Sequence, residues 1–114
     1  MNYWSEIVQL AIKAGSSEAE IRDKVERGHT ILWPTDDGLL LLDCATDGAL
    51  VIWLCAGRNV RSWFRSAEIE VGRFAAKHGC NRLRIEGRRG WKRLLPHWEV
   101  IRDGDEVVLE YRLT

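Results

Sequence analysis

The apolar positions along this chain change period several times, and each change marks an element. Trp4, Ile7, Val8 and Ala11 recur at steps of three and four, which predicts a helix over residues 3–14 that stops at Gly15. Ser17 opens a second helix, and Glu20 three residues on predicts a capping box, in which each side chain takes the other residue's free backbone N–H. Ile21 and Val25 give that helix one apolar face, and Gly28 ends it. Residues 30–33 read as a strand stopped by Pro34. The turn residues Asp36-Asp37-Gly38 lead into a second strand over 39–44, and Asp47-Gly48 is a hairpin signal before a third over 50–55. The third run, Leu-Val-Ile-Trp-Leu-Cys, is apolar throughout, the pattern of a strand buried on both faces. The three strands therefore read as an antiparallel meander covered by helices on each side.

Past Gly57 the helical period returns. Phe64, Ala67, Val71, Phe74, Ala75 and His78 define a long helix over 61–78, closed by Gly79. Residues 82–86 alternate and predict a strand, 91–95 a short helix broken by Pro96, and 107–113 a last alternating strand after the Asp103-Gly104-Asp105 turn. A strand, a long helix and a second strand suit a right-handed parallel crossover. The expected fold class is α/β (α+β): one domain over residues 1–114 with a mixed central sheet and helices on both faces.

Composition adds bounds. The chain has 114 residues, 46% of them hydrophobic and 30% charged, which fits one folded domain and argues against disorder. The longest apolar run, residues 49–56, is too short to span a membrane, and the first six residues lack the basic-then-apolar pattern of a signal peptide. Cys44, Cys55 and Cys80 are odd in number and scattered, as are His29, His78 and His97; that fits reduced thiols in a cytoplasmic protein and neither a disulfide framework nor a metal site. Six tryptophans supply core packing, or one or two of them face a partner. Net charge is zero, yet residues 1–57 carry −5, residues 58–93 carry +8 and the remainder −3.

The order of elements resembles that of the GNAT acetyltransferases over nearly the whole chain, as layout rather than as motif identity. One segment is more specific. Gly87-Arg88-Arg89-Gly90-Trp91-Lys92-Arg93-Leu94-Leu95 is similar to a Gly-Arg-x-Gly-Trp-x-Arg-x-Leu stretch in small GNAT-like proteins of tailed bacteriophages. The resemblance implies a phosphate-binding loop, Gln/Arg-x-x-Gly-x-Gly/Ala, between the third strand and the long helix, holding acetyl-CoA through backbone N–H groups. Here that junction reads Gly57, Arg58, Asn59, Val60, Arg61, Ser62, then Trp63, with one glycine and bulky Val60 and Trp63. The departure implies loss of tight acetyl-CoA binding. Retention through the Arg58 and Arg61 side chains is the alternative. The family's acid, a tyrosine in the helix after the next strand, has no counterpart in 91–95, since the two tyrosines are Tyr3 and Tyr111. Glu86 is the candidate base, against a plain surface ion pair with a neighbouring arginine. The resemblance places Trp53, Leu54, Cys55, Ile85 and Glu86 beside any surviving ligand site.

Arg82, Arg84, Arg88, Arg89, Lys92 and Arg93 put six cations into twelve residues around Trp91. Such a set suits an acidic protein surface, a solvated edge, or phosphates and stacked bases. Repulsion between Arg82 and Arg84 on one strand face calls for an acid on an adjacent strand, such as Glu110. The leading expectation is a phage-type, non-catalytic binding or virion-associated module without cofactor. It would engage other phage structural proteins through Arg88, Arg89, Trp91, Lys92 and Arg93, in the host cytoplasm or the virion. The alternatives are an active N-acetyltransferase using acetyl-CoA and a nucleic-acid-binding protein.

Overall fold

A computed structural model of the chain describes residues 3–113, so residues 1, 2 and 114 of the expected domain lie outside the described residues. Its elements run α1 (Trp4–Lys13), α2 (Glu18–Glu26), β1 (Thr30–Thr35), β2 (Gly38–Cys44), β3 (Ala49–Gly57), α3 (Val60–Lys77), β4 (Arg82–Gly87), α4 (Gly90–Leu94), β5 (Glu99–Asp103) and β6 (Val107–Arg112). The six strands form one mixed sheet in the order β1-β2-β3-β4-β6-β5. The meander β1–β2–β3 is antiparallel, β3 runs parallel to β4 across α3, and β6 returns antiparallel to β4.

The local chemistry explains most of this. Ser17 Oγ caps α2 by accepting the Glu20 N–H at 3.2 Å. The reciprocal half of the expected box is not made; the Glu20 carboxylate instead accepts the Ser16 hydroxyl at 2.9 Å. Pro34 lies inside β1 rather than ending it. This is tolerated because β1 is an edge strand, so the missing N–H can face away from β2. The strand β5 was not expected. Its sequence, Glu-Val-Ile-Arg-Asp, does not alternate, and all five residues are exposed. It exists because β6 offers an edge on which it pairs.

Two apolar clusters flank the sheet. On one face α3 lays Phe64, Ala67, Val71 and Ala75 over Leu40, Leu50, Leu83 and Leu109. On the other, Ile7 and Ala11 of α1 and Ile21 of α2 cover Leu41 and Ala56. Each fully buried large side chain contributes about 1.5–3 kcal/mol, and twelve large side chains are essentially inaccessible. The tryptophans follow the core reading: Trp63 and Trp98 are buried, and Trp4, Trp33, Trp53 and Trp91 are half-buried. Among the described residues no helix is long and apolar enough to cross a membrane.

Candidate functional site

The strands β3 and β4 pair only from Ala49 to Ile52 against Arg82 to Ile85. Beyond Ile52 they separate. A register shift in the β2–β3 ladder accompanies the split: Leu42 faces Ile52 while Leu41 faces Leu54, so Trp53 is an extra residue in β3. Such a bulge bends a strand and re-aims its side chains. The result is a cleft of about 780 Å³ at the point of separation. Trp53, Leu54 and Cys55 form one wall, Ile85 and Glu86 the other, and Trp91 of α4 borders it. The structure thus brings to one cleft all five residues that the resemblance placed beside a ligand site.

The ionisable groups of this cleft are few. The Cys55 thiol is pushed up to about 12 by burial and, secondarily, by Glu6. It stays protonated at neutral pH and is a poor nucleophile. Glu86 is exposed and makes no ion pair among the described residues, so the neighbouring arginines do not neutralise it. Neither tyrosine lines the cleft. The Tyr3 hydroxyl points to Asp37 Oδ1 at 3.4 Å, and the Tyr111 ring packs on His97 and Trp98.

The junction from β3 to α3 can be read atom by atom. Gly57 has φ +148°, and a Cβ there would collide with the Asp37 carbonyl oxygen and lie 2.7 Å from Gly38 Cα. The one glycine of the loop therefore serves the close approach of the β2 and β3 ends. The Arg58 N–H already donates to Asp37 O at 2.9 Å. Asn59 is left-handed at φ 51°, and the Ser62 hydroxyl donates to Asn59 O at 2.7 Å. The successive N–H groups of Asn59, Val60 and Arg61 have no acceptor among the described residues. The exposed Arg58 and Arg61 side chains stand beside them. Trp63 does not crowd the outer face of the loop, as its bulk suggested. It is buried beneath, against Gly38 and Gly57, and its Nε1 donates to Arg58 O at 2.8 Å. The residues present thus fit a diphosphate in part: three successive amides are open to it, and the Arg58 N–H ahead of them is engaged by Asp37.

The basic segment divides. Arg82 and Arg84 face both Asp47 and Glu110, with Arg82 at 2.8 Å from Asp47 and Arg84 at 2.8 Å from Glu110. Arg84 also donates to Asp47, which holds that carboxyl below the usual range. Glu110 is the acid expected from the adjacent strand, and Asp47 of the β2–β3 hairpin joins it. Lys92 and Arg89 share Asp103, at 2.6 and 3.6 Å. Trp91 is half-buried, its ring 5.3 Å from that of Phe64. Arg88 and Arg93 are exposed and have no carboxylate partner among the described residues.

One cluster escaped the sequence reading. Glu68 is 3% exposed, and its carboxylate accepts Trp98 Nε1 at 2.9 Å, meets His97 Nε2 at 2.9 Å and pairs with Arg65. The signal was a lone carboxylate on the Phe64, Ala67, Val71 face of a helix. Among the described residues no group of three His, Cys, Asp or Glu is placed to hold a metal ion.

No protein-family model matches the chain, and no curated protein is similar to it in sequence. Solved structures are similar in fold. The IAA acetyltransferase from Bacillus cereus ATCC 14579 superposes with a TM-score of 0.68 at 12% identity, over 96% of this chain and 92% of that one. A Bacillus subtilis acetyltransferase in complex with CoA gives 0.63 at 16% identity, over 100% and 94%. The PaiA N-acetyltransferase from Thermoplasma acidophilum, in complex with coenzyme A, gives 0.60 at 14%, over 94% and 89%. At these identities the likeness shows the fold: this chain has a GNAT-like fold.

Proposed function

We propose that this chain is a GNAT-fold binding module that does not turn over acetyl-CoA. The observation that carries the proposal is the β3–α3 junction. Its single glycine and the Arg58 N–H are both engaged by the Asp36–Asp37–Gly38 turn, which leaves the Asn59, Val60 and Arg61 amides, without a second glycine, to meet a diphosphate. The chemistry of the cleft supports the same reading. Its thiol is held protonated, and no phenol reaches it to protonate a leaving thiolate. The cleft remains open, so it is read as a ligand site whose chemistry has been lost. The Gly87–Arg88–Arg89–Gly90–Trp91 stretch supports a phage lineage, with Arg88 and Arg93 as the cations free to meet an acidic partner such as a virion protein.

A thermal-shift titration with CoA and acetyl-CoA, run beside a thioester assay on a panel of amines, tests the reading. The expected outcome is no thiol release and no saturable stabilisation at micromolar ligand, because binding to the native state must raise apparent stability by mass action. Saturable stabilisation with turnover would establish the acetyltransferase reading in its place. Co-sedimentation with assembled particles tests the virion assignment; a protein found wholly in the unassembled fraction would remove it.

A further inference from the structure

A sheet edge left open is a template for another strand, and folded proteins blunt such edges. The two outer edges of this sheet are blunted. In β1, Pro34 supplies no N–H, and β5 carries Glu99, Arg102 and Asp103 with a register shift between Val100 and Arg102. The inner edge, where β3 and β4 part, is not. Its last partner on β4 is Ile85, opposite Ile52, yet β3 continues to Gly57 while paired with β2 on its other side. The sequence of that stretch, Trp-Leu-Cys-Ala-Gly, holds neither charge nor proline. Successive residues of a strand turn their backbone groups to opposite neighbours. Every second residue from Leu54 on therefore presents its N–H and C=O to the cleft. Among the described residues no backbone hydrogen bond from Leu54, Cys55, Ala56 or Gly57 goes anywhere but to β2. The cleft beside this edge has apolar room on both faces of the sheet. On the α1 side it is lined by Leu10 and Leu54, which pack on the cluster under α1 and α2. On the α3 side it continues, past Cys55 and Trp91, into a pocket of about 250 Å³ lined by Val60 and Leu94, which pack on the α3 cluster.

We propose that the cleft takes an extended peptide segment as an added strand on the β3 edge. Two consecutive apolar residues of the segment send their side chains into the two apolar recesses, one on each face of the sheet. The inference rests on reading the cleft as a ligand site, and it names the chemistry of the ligand. A wholly apolar ligand would cover the free amides and carbonyls of β3 without replacing the water it displaces from them. A peptide supplies donors and acceptors at the strand repeat, and its alternate side chains leave the plane of the sheet on opposite sides. The edge from Leu54 to Gly57 spans about 10 Å, enough for about three or four residues of a partner strand.

The test is a 1H–15N NMR titration of the full chain with three blocked tetrapeptides. Acetyl-Ser-Val-Phe-Ser-amide carries the apolar pair. The second probe is the same peptide with its Val and Phe amides N-methylated, which removes a donor to β3 in either register. The third, acetyl-Ser-Gly-Gly-Ser-amide, keeps the backbone and lacks the apolar side chains. The first is expected to shift the amides of Leu54, Cys55, Ala56 and Gly87 saturably, and each of the others to bind at least tenfold more weakly. Val60→Glu puts a carboxylate into the recess on the α3 side and should weaken the first peptide at least fivefold. An acid in the first turn suits a helix, and an unaltered spectrum away from the cleft checks that the variant folds. Shifts that do not saturate, equal binding of the N-methylated peptide, shifts centred on β1 or β5, or undiminished binding by Val60→Glu would each overturn the proposal. Thiol release from acetyl-CoA would overturn the non-catalytic reading alone. A chain that releases none and fails to take the peptide would overturn this inference alone, so the two failures are distinguishable.

Discussion

Glu68 shows what one buried carboxylate does in this core. It sits on α3 among apolar neighbours and takes donors from the segment that follows α4, so it ties that segment to the helix. Trp98 is 4% exposed, and its indole N–H has no water to turn to if the carboxylate is removed. An unsatisfied buried donor costs about 1–3 kcal/mol. Glu68→Ala should therefore lower stability by about 2–3 kcal/mol in urea denaturation, with the cavity included. Glu68→Gln keeps an oxygen for Trp98 and should cost less. Equal losses in the two variants would show that packing, and not the hydrogen bond, dominates at this site.

At the scale of the element, the β2–β3 hairpin and the turn into α3 form one unit. Gly38 and Gly57 face each other in register, and the Trp63 ring lies under both. The same corner engages the Arg58 N–H, through Asp37, just ahead of the α3 N-terminus. Gly57→Ala combines an unfavourable φ with a collision against the Asp37 carbonyl, and should lose about 2–4 kcal/mol. Gly79→Ala is the control. Gly79 is also left-handed, at φ +83°, but a Cβ there meets nothing within 4 Å. It should lose only the conformational term, about 1–2 kcal/mol. Chemical denaturation of both variants separates close approach from backbone strain.

Across the whole molecule the zero net charge conceals a wiring of segments. The acidic N-terminal half supplies Asp47, and the basic middle supplies Arg82 and Arg84, so the ion pairs join the two halves of the sheet. The hydrogen bond from Arg84 first, and the backbone N–H of Ala49 and the charge of Arg82 after it, hold the Asp47 carboxyl below its usual range. Lys92 does the same to Asp103. A carboxyl with a depressed folded value contributes stability that is present above its ordinary pKa, about 4, and is lost as pH falls through the folded value. Thermal midpoints taken from pH 7 down to pH 3 should fall most steeply below about pH 4. Asp47→Asn should lower the midpoint at pH 7 and flatten that acid limb. An acid limb unchanged in Asp47→Asn would assign the loss to other carboxylates.

The helices, the meander and the crossover were legible in the chain because their causes are local. Apolar period, Ser17 as a cap, and Asp-Gly turns act over a few residues wherever the chain lies. The wall residues of the cleft followed from the resemblance of that layout to the acetyltransferases, and the need for an acid near Arg82 and Arg84 from their like charges on one strand face. Tertiary structure alone decided the rest. The strand β5 depends on an edge that β6 provides. Gly57 reads as a remnant of a phosphate loop until Asp37 and Gly38 are seen against it. Trp63 reads as an obstruction until it turns inward. Lys13 and Glu106, far apart in the chain, reach one cleft only where β3 and β4 part. Each of these depends on which distant segment becomes a neighbour, and a local pattern carries no record of that.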